Sequence, residues 1–311
     1  MNHTSLYKEI IEQQKINKQY YKINNNPPHG GILIVVKNNN IYEIKNGMGY
    51  VHPTRKKQYT ELIKNVLVKF TLHDCYIKIN LCDHPIEGSF GFCRKKNNNK
   101  CFLLPNHRFT KDDIKIDNNN IEFDNFNDQK KYIHSKKKEC QIHKLYTSCI
   151  PHISKISYFT YALNNKDICY GWAYIGGCHG KVNMSNELCA ELKKNNMAGE
   201  KHVEWIEHLK YKYILYNDGN TLSDRMRLLL CSNSIIIYKS TDYEEFYTYK
   251  IKNNVNYVEY NNNSEIRVII EKNERTKEYE NIIKNNEIFV NTYLSYEEIL
   301  LYTYLIIKEI C

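Results

Sequence analysis

Between Lys210 and Ser234 the chain reads KYKYILYNDGNTLSDRMRLLLCSNS, and Ile235-Ile236-Ile237-Tyr238 comes directly after it. Tyr213 to Tyr216 is a short, β-prone apolar run, which reads as a buried strand. Asn217-Asp218-Gly219 is turn chemistry, because glycine accepts positive φ and Asn or Asp can bond their own backbone. Thr221 and Ser223 are candidate N-caps, and Arg225 to Leu230 then reads as a helix with leucine on its inner face. Ile235 to Tyr238 is a second strand. A strand that passes through a hydroxyl-rich turn into a helix leaves backbone N–H groups pointing at one spot. That spot suits an anion, and an arginine one turn in closes over it. The same spacing also serves an ordinary βαβ crossover with a capped helix.

The remainder of the chain repeats this alternation. Gly31 to Val36 and Ile41 to Ile44 read as strands, Thr60 to Phe70 as a helix, and Cys75 to Ile79 as a further strand. The short apolar run Cys101 to Leu104 ends at Pro105. Residues 111–145 are charged and Asn-rich and read as a helix-plus-loop excursion. The apolar pattern resumes around Ile150, with Ile156 to Tyr161, and the domain boundary is placed there. Residues 183–208 and 274–309 read as helices, and Ser295-x-x-Glu298 is a capping box before the last one. Such alternation argues an α/β layout with parallel sheets. The 311 residues suit two domains, 1–150 and 151–311.

Composition narrows the function classes. The net charge of +9 raises nucleic acid as a partner. Its lysines, however, cluster in the polar loops Lys95-Lys96, Lys130-Lys131 and Lys136-Lys137-Lys138, with no reading helix or aromatic platform. Surface lysine from the codon usage of an AT-rich genome is the competing reading, and the triple-Asn runs starting at Asn24, Asn38, Asn97, Asn118 and Asn261 fit it. They mark solvated turns. The eleven cysteines show no repeating frame and no Cys-x-x-Cys pair. The nearest approach to a metal set is His73, Cys75, Cys82 and His84, and free thiols in a reducing compartment are the expectation. The first residues lack an apolar signal core and read as an amphipathic helix with Leu6, Ile10 and Ile11 inward. No run is long enough to span a membrane, and the chain ends Lys-Glu-Ile-Cys, so a cytoplasmic location is expected.

The Lys210–Ser234 segment resembles the C-terminal half of the CAP10-like glycosyltransferases of family 90, the family of the protein O-glucosyltransferases. The residues that carry the resemblance are Lys210 to Tyr213, Gly219, Ser223-Asp224-Arg225, Leu228 to Leu230 and Ser234. Further on, Glu245-Phe246-Tyr247, Asn256-Tyr257-Val258 and a closing helix from Phe289 through Tyr302 are similar to the family's later elements. The match is specific across residues 203–311. The resemblance implies two Rossmann-like domains facing each other across a cleft, the GT-B type. It also implies an inverting, metal-independent transfer of glucose or xylose from a UDP-sugar to a protein or glycan hydroxyl, with no cofactor beyond that donor.

Residue by residue, the resemblance reaches a second site. Asn80, Asp83 and Pro85 match the family's Asn-x-x-Asp-x-Pro element, whose aspartate is the proposed general base. A carboxylate at the end of a strand is where open α/β sheets place their chemistry, although Asp before x-Pro is also an ordinary turn former. Gly219, Ser223, Arg225 and Glu245 are the donor-site candidates, Glu245 either bonding ribose hydroxyls or orienting Arg225. The chain departs from the family in one place. After the strand that begins the second domain the family has Phe-Arg-Gly-Ser, where this chain reads Tyr158-Phe159-Thr160-Tyr161. The arginine and the glycine are missing, so Phe159 remains and Lys166 is the candidate substitute charge, though a lysine lacks the bidentate fork. Two alternatives stay open: a catalytically silent glycosyltransferase-like binding protein and a basic nucleic-acid-binding protein.

Overall fold

The computed structural model describes residues 4–21, 26–98, 100–110, 112–116, 119–136, 142–149, 153–175, 184–201, 203–217 and 222–311. Helix α1 (Thr4–Lys15) opens the chain with Ile11 buried, as expected, while the side chains of Leu6 and Ile10 lie outside the described residues. Strands β1 (Gly31–Lys37) and β2 (Asn40–Asn46) form a hairpin. Asn38 and Asn39 take φ of 49° and 57°, the two left-handed positions that a tight hairpin turn demands. Helix α2 (Pro53–Lys69) starts well before the expected Thr60. Pro53 sits in its first turn, and His52 Nδ1 accepts the N–H of Arg55 at 3.5 Å.

Strands β3 (Cys75–Asn80), β4 (Phe90–Gly91), β5 (Arg94–Lys95) and β6 (Phe102–Leu103) come next. The first sheet has the order β2-β1-β3-β4-β6. It is mixed: β1 runs antiparallel to both neighbours, and only β3, β4 and β6 are mutually parallel. The fully parallel sheet expected of the N-terminal half therefore does not form, because a two-residue turn can join only antiparallel strands. The charged stretch expected as helix and loop contains a hairpin of β7 (Asp112–Ile116) and β8 (Asn119–Phe123), then helix α3 (Phe126–Lys136).

The second sheet opens with β9 (Ile142–Cys149), before the apolar run that the sequence points to. That run, Ile156 to Tyr161, belongs to helix α4 (Ile153–Asn164). Tyr158, Phe159 and Ala162 are the buried residues there, a helical spacing that the aromatic and β-branched content conceals. Strand β10 (Cys169–Tyr174), helix α5 (Asn186–Lys194), strand β11 (Ala198–Gly199), a 3₁₀ segment (Trp205–Lys210) and β12 (Tyr211–Tyr216) continue the chain. After them stand the single-turn helix α6 (Met226–Leu229), β13 (Ile235–Tyr238), β14 (Tyr243–Glu244) and β15 (Val258–Glu259). Helices α7 (Ser264–Thr276), α8 (Asn281–Tyr293) and α9 (Tyr296–Ile310) end the chain. The expected closing helix is thus two, broken at Leu294, and Ser295 Oγ caps the second by accepting the N–H of Glu298 at 3.3 Å.

This sheet is parallel throughout, with the order β11-β10-β9-β12-β13-β15. Numbered within the sheet, that is 3-2-1-4-5-6, the order of dinucleotide-binding sheets, with its reversal between β9 and β12. Both faces are covered, as a parallel sheet requires. Tyr213, Leu215, Ile235 and Ile237 enter a core with α4, α7 and α8. Ile214, Tyr216, Ile236 and Tyr238 enter the other core, which they share with β1, α2, β3 and α9. Strand β14 pairs with β5, and Arg94 Nε lies 2.6 Å from Glu244 Oε1 at that junction. Helix α9 returns to the first sheet, where Tyr302 donates to Leu103 O at 2.8 Å and accepts from Gln14 at 2.9 Å. Among the described residues, no helix is long and apolar enough to cross a membrane.

Candidate active site

Candidate residues after β3 and after β12 are linked through Arg55, His52 and Arg108. Asn80 closes β3 and shapes the tight turn beyond it: its Oδ1 accepts the Cys82 N–H at 2.9 Å and its amide donates to His84 O at 2.6 Å. That local turn presents Asp83 at the surface. Its Oδ1 sits 2.7 Å from a terminal nitrogen of Arg55, in the first turn of α2. The other terminal nitrogen of Arg55 donates to Leu81 O at 2.7 Å, and the guanidinium lies over the Phe92 ring. One arginine therefore fixes both the carboxylate and the backbone beside it. Burial and the charges of Arg55 and Arg108 hold His52 below the usual histidine range, with Asp83 pulling the other way. His52 is thus within electrostatic reach of Asp83, Arg55 and Arg108 together.

The second sheet supplies the other candidate residues. Tyr216, at the end of β12, donates to Ser223 O at 2.7 Å and pins the turn at the switch point. Ser223 Oγ accepts from Arg225 Nε at 3.1 Å, so the Ser-x-Arg pair is a physical pair. Ser223 does not cap the helix. Arg225 itself occupies the N-cap position of α6, without a side-chain cap bond, and α6 is only four residues long. A single turn aligns too few peptide dipoles to seat an anion alone, so side-chain cations must carry that role. Gly219 and Thr221 lie outside the described residues.

Two further arginines flank this segment, one paired with it and one buried in α6. Arg108, in the 3₁₀ segment His107–Phe109 after β6, places Nε 2.7 Å from Asp224 Oδ2. Arg227 is fully buried between the faces of Phe109 and Phe126 and donates to Gln129 Oε1. Glu245 is buried beneath them. Its Oε1 accepts from the Tyr247 hydroxyl at 3.2 Å, while Oε2 has no hydrogen-bond partner among the described residues. Burial first and then the Asp224 charge push its carboxyl up to about 8, against the pull of Tyr247 and Arg227. Glu245 is therefore largely protonated at neutral pH. Its hydroxyl partner is Tyr247, and it does not orient Arg225 through a hydrogen bond. His107 and His208 are both held neutral, His208 down to about 3, chiefly by burial.

Asp83, Ser223, Arg225 and Glu245 are linked through Arg55, Arg108 and Asp224, whereas two of the remaining donor candidates, Phe159 and Lys166, lie elsewhere. Phe159 is fully buried in the core beneath α4, packed against Gly171. Lys166 precedes β10 and bonds Asn195, at the end of the sheet where strands begin. The Ser223 turn lies where strands finish, so a strand's length, roughly 20 Å, separates the two. The sequence reading missed Arg55, His52 and Arg108. Only His52-Pro53 carried a signal, that of a capped helix start. Among the described residues, no three His, Cys, Asp or Glu side chains group as a metal set.

No curated protein matches the chain. The matched span of the family comparison starts at residue 179, so Asp83, Phe159 and Lys166 fall before it, while Ser223, Arg225 and Glu245 fall within it. Over residues 179–310 the chain matches the model of Glycosyl transferase family 90, a span that includes the Ser223-x-Arg225 pair.

Proposed function

We propose that this protein is an inverting glycosyltransferase that moves a sugar, glucose or xylose, from a UDP-sugar to a hydroxyl of a protein or glycan acceptor, without a metal. What supports this reading most is one chain of links: Asp83, in the turn after β3, pairs with Arg55, Arg55 and Arg108 both act on His52, and Arg108 pairs with Asp224 of the Ser223–Arg225 segment. In the reaction, the acceptor oxygen attacks the anomeric carbon while the Asp83 carboxylate takes its proton. The bond from that carbon to the diphosphate oxygen breaks with its electron pair on the diphosphate. The growing charge there is met by Arg225, with Arg227 beneath it as a fixed buried cation. Arg55 holds the Asp83 carboxylate in place through their 2.7 Å ion pair, as a positioning residue.

Purified protein incubated with UDP-glucose or UDP-xylose is expected to release UDP, by transfer or by hydrolysis. Asp83→Asn is expected to slow that release by about 10²-fold or more, the usual contribution of a positioned base. An Asp83→Asn protein as fast as the wild type would remove Asp83 from the role of base.

A further inference from the structure

The carboxylate of the donor turn holds an arginine that the turn itself does not supply. Asp224 stands between Ser223 and Arg225, and its partner Arg108 comes from the other sheet's side of the molecule. Both side chains are partly open at the surface, 38% and 41% exposed. The backbone under Arg108 is fixed on two sides. Asn106 Oδ1 accepts its N–H at 3.0 Å, and Gln129 Nε2 donates to its carbonyl at 3.1 Å. The same Gln129 accepts from Arg227, so one amide locks the Arg108 segment to α6. Arg108 also bears electrostatically on His52 and His107, toward the Asp83 side. Four guanidiniums, those of Arg55, Arg108, Arg225 and Arg227, thus accompany two carboxylates, Asp83 paired with Arg55 and Asp224 paired with Arg108. The balance of fixed charge there is positive and favours an anion.

We propose that Arg108 is a diphosphate-binding arm, and that Asp224 holds its place in the unliganded protein and yields it when a nucleoside diphosphate enters. This deepens the donor-site reading of the Ser223–Arg225 turn and rests on it. A partly exposed guanidinium–carboxylate pair is weak, and a diphosphate offers more charge and more acceptor oxygens in the geometry an arginine fork fits.

Calorimetric titration of the full chain with UDP and, separately, with inorganic pyrophosphate tests the proposal. Arg108→Ala is expected to weaken both ligands by about tenfold or more, the worth of a charge-assisted hydrogen bond. Asp224→Asn keeps the shape, removes the competing charge and is expected to tighten both, on the order of threefold to tenfold. The opposite directions separate the proposal from damage to the fold, because a damaged site does not bind more tightly. If the wild type binds UDP and neither variant changes either affinity, Arg108 is not an arm, while the donor-site reading stands. If the wild type binds neither ligand, the donor-site reading fails and the proposal falls with it.

Discussion

At the scale of single residues, Glu245 stands out because its carboxyl is held protonated near neutral pH. Its side chain is buried, one oxygen has no partner among the described residues, and its carboxyl is pushed up to about 8. The consequence for stability has a definite sign. Between the ordinary glutamate value of 4.5 and about 8, the folded protein keeps the Glu245 proton while the unfolded chain has lost it. The contribution to stability is complete below 4.5 and disappears as pH rises through 8, a change on the order of a few kcal/mol. Glu245→Gln keeps a neutral side chain at every pH and can still accept the Tyr247 hydrogen bond. We therefore expect wild type and variant to melt alike near pH 5, and the variant to be the more stable at pH 9. Melting curves that run parallel from pH 5 to 9 would show that Glu245 is ionised in the fold. The sequence marks Glu245 as a candidate residue. Its protonation is not legible there, since that depends on burial by segments remote along the chain.

At the scale of elements, legibility tracked how much of the cause was local. Strands β12 and β13 could be read because apolar residues serve both faces of a parallel sheet, giving short continuous runs. Strand β9 could not: His143 and Lys144 break its apolar pattern, and charged residues flank it. The β1–β2 hairpin shows local and remote causes side by side. Asn38 and Asn39 both sit at positive φ, which glycine adopts at least as easily. The hydrogen bond from the Asn38 N–H to Asp74 involves only its backbone and survives a glycine there. Asn39 also works beyond the turn: its amide donates to Leu67 O at 3.0 Å and its Oδ1 accepts the Leu72 N–H at 2.9 Å, tying the hairpin to the end of α2. Asn38→Gly is accordingly expected to change stability by less than about 0.5 kcal/mol, and Asn39→Gly to cost about 1–3 kcal/mol. Urea unfolding of the two variants checks this, and equal costs at both positions would reduce Asn39 to a turn former.

At the scale of the whole molecule, the two sheets cohere because one apolar core lies between them, and this is what makes the site. Ile32, Ile34, Leu62, Ile77, Ile214, Ile236 and Ile299 belong to that single cluster, although they come from both ends of the chain. No spacing in the sequence brings Arg55 and Arg108 to Asp83 and Asp224. Only that shared core does, so half of the candidate site was invisible until the sheets were placed against each other. The junction of β5 and β14 carries the clearest test. Arg94 is nearly buried and Glu244 largely so, with Nε and Oε1 2.6 Å apart, and Arg94 also reaches Cys101 O at 3.4 Å. Removing one member of a buried ion pair strands the other's charge, at a cost of about 3–5 kcal/mol, whereas removing both leaves no such charge. Arg94→Ala and Glu244→Ala are each expected to lower stability by about 3 kcal/mol, and the double variant by clearly less than the two together. Because the sheets share a core, each loss is expected to move one unfolding transition as a whole, seen alike by circular dichroism and by tryptophan fluorescence. Costs that simply add would make the pair incidental. A transition that splits in Arg94→Ala would show that the ion pair, and not the shared core, is what couples the sheets.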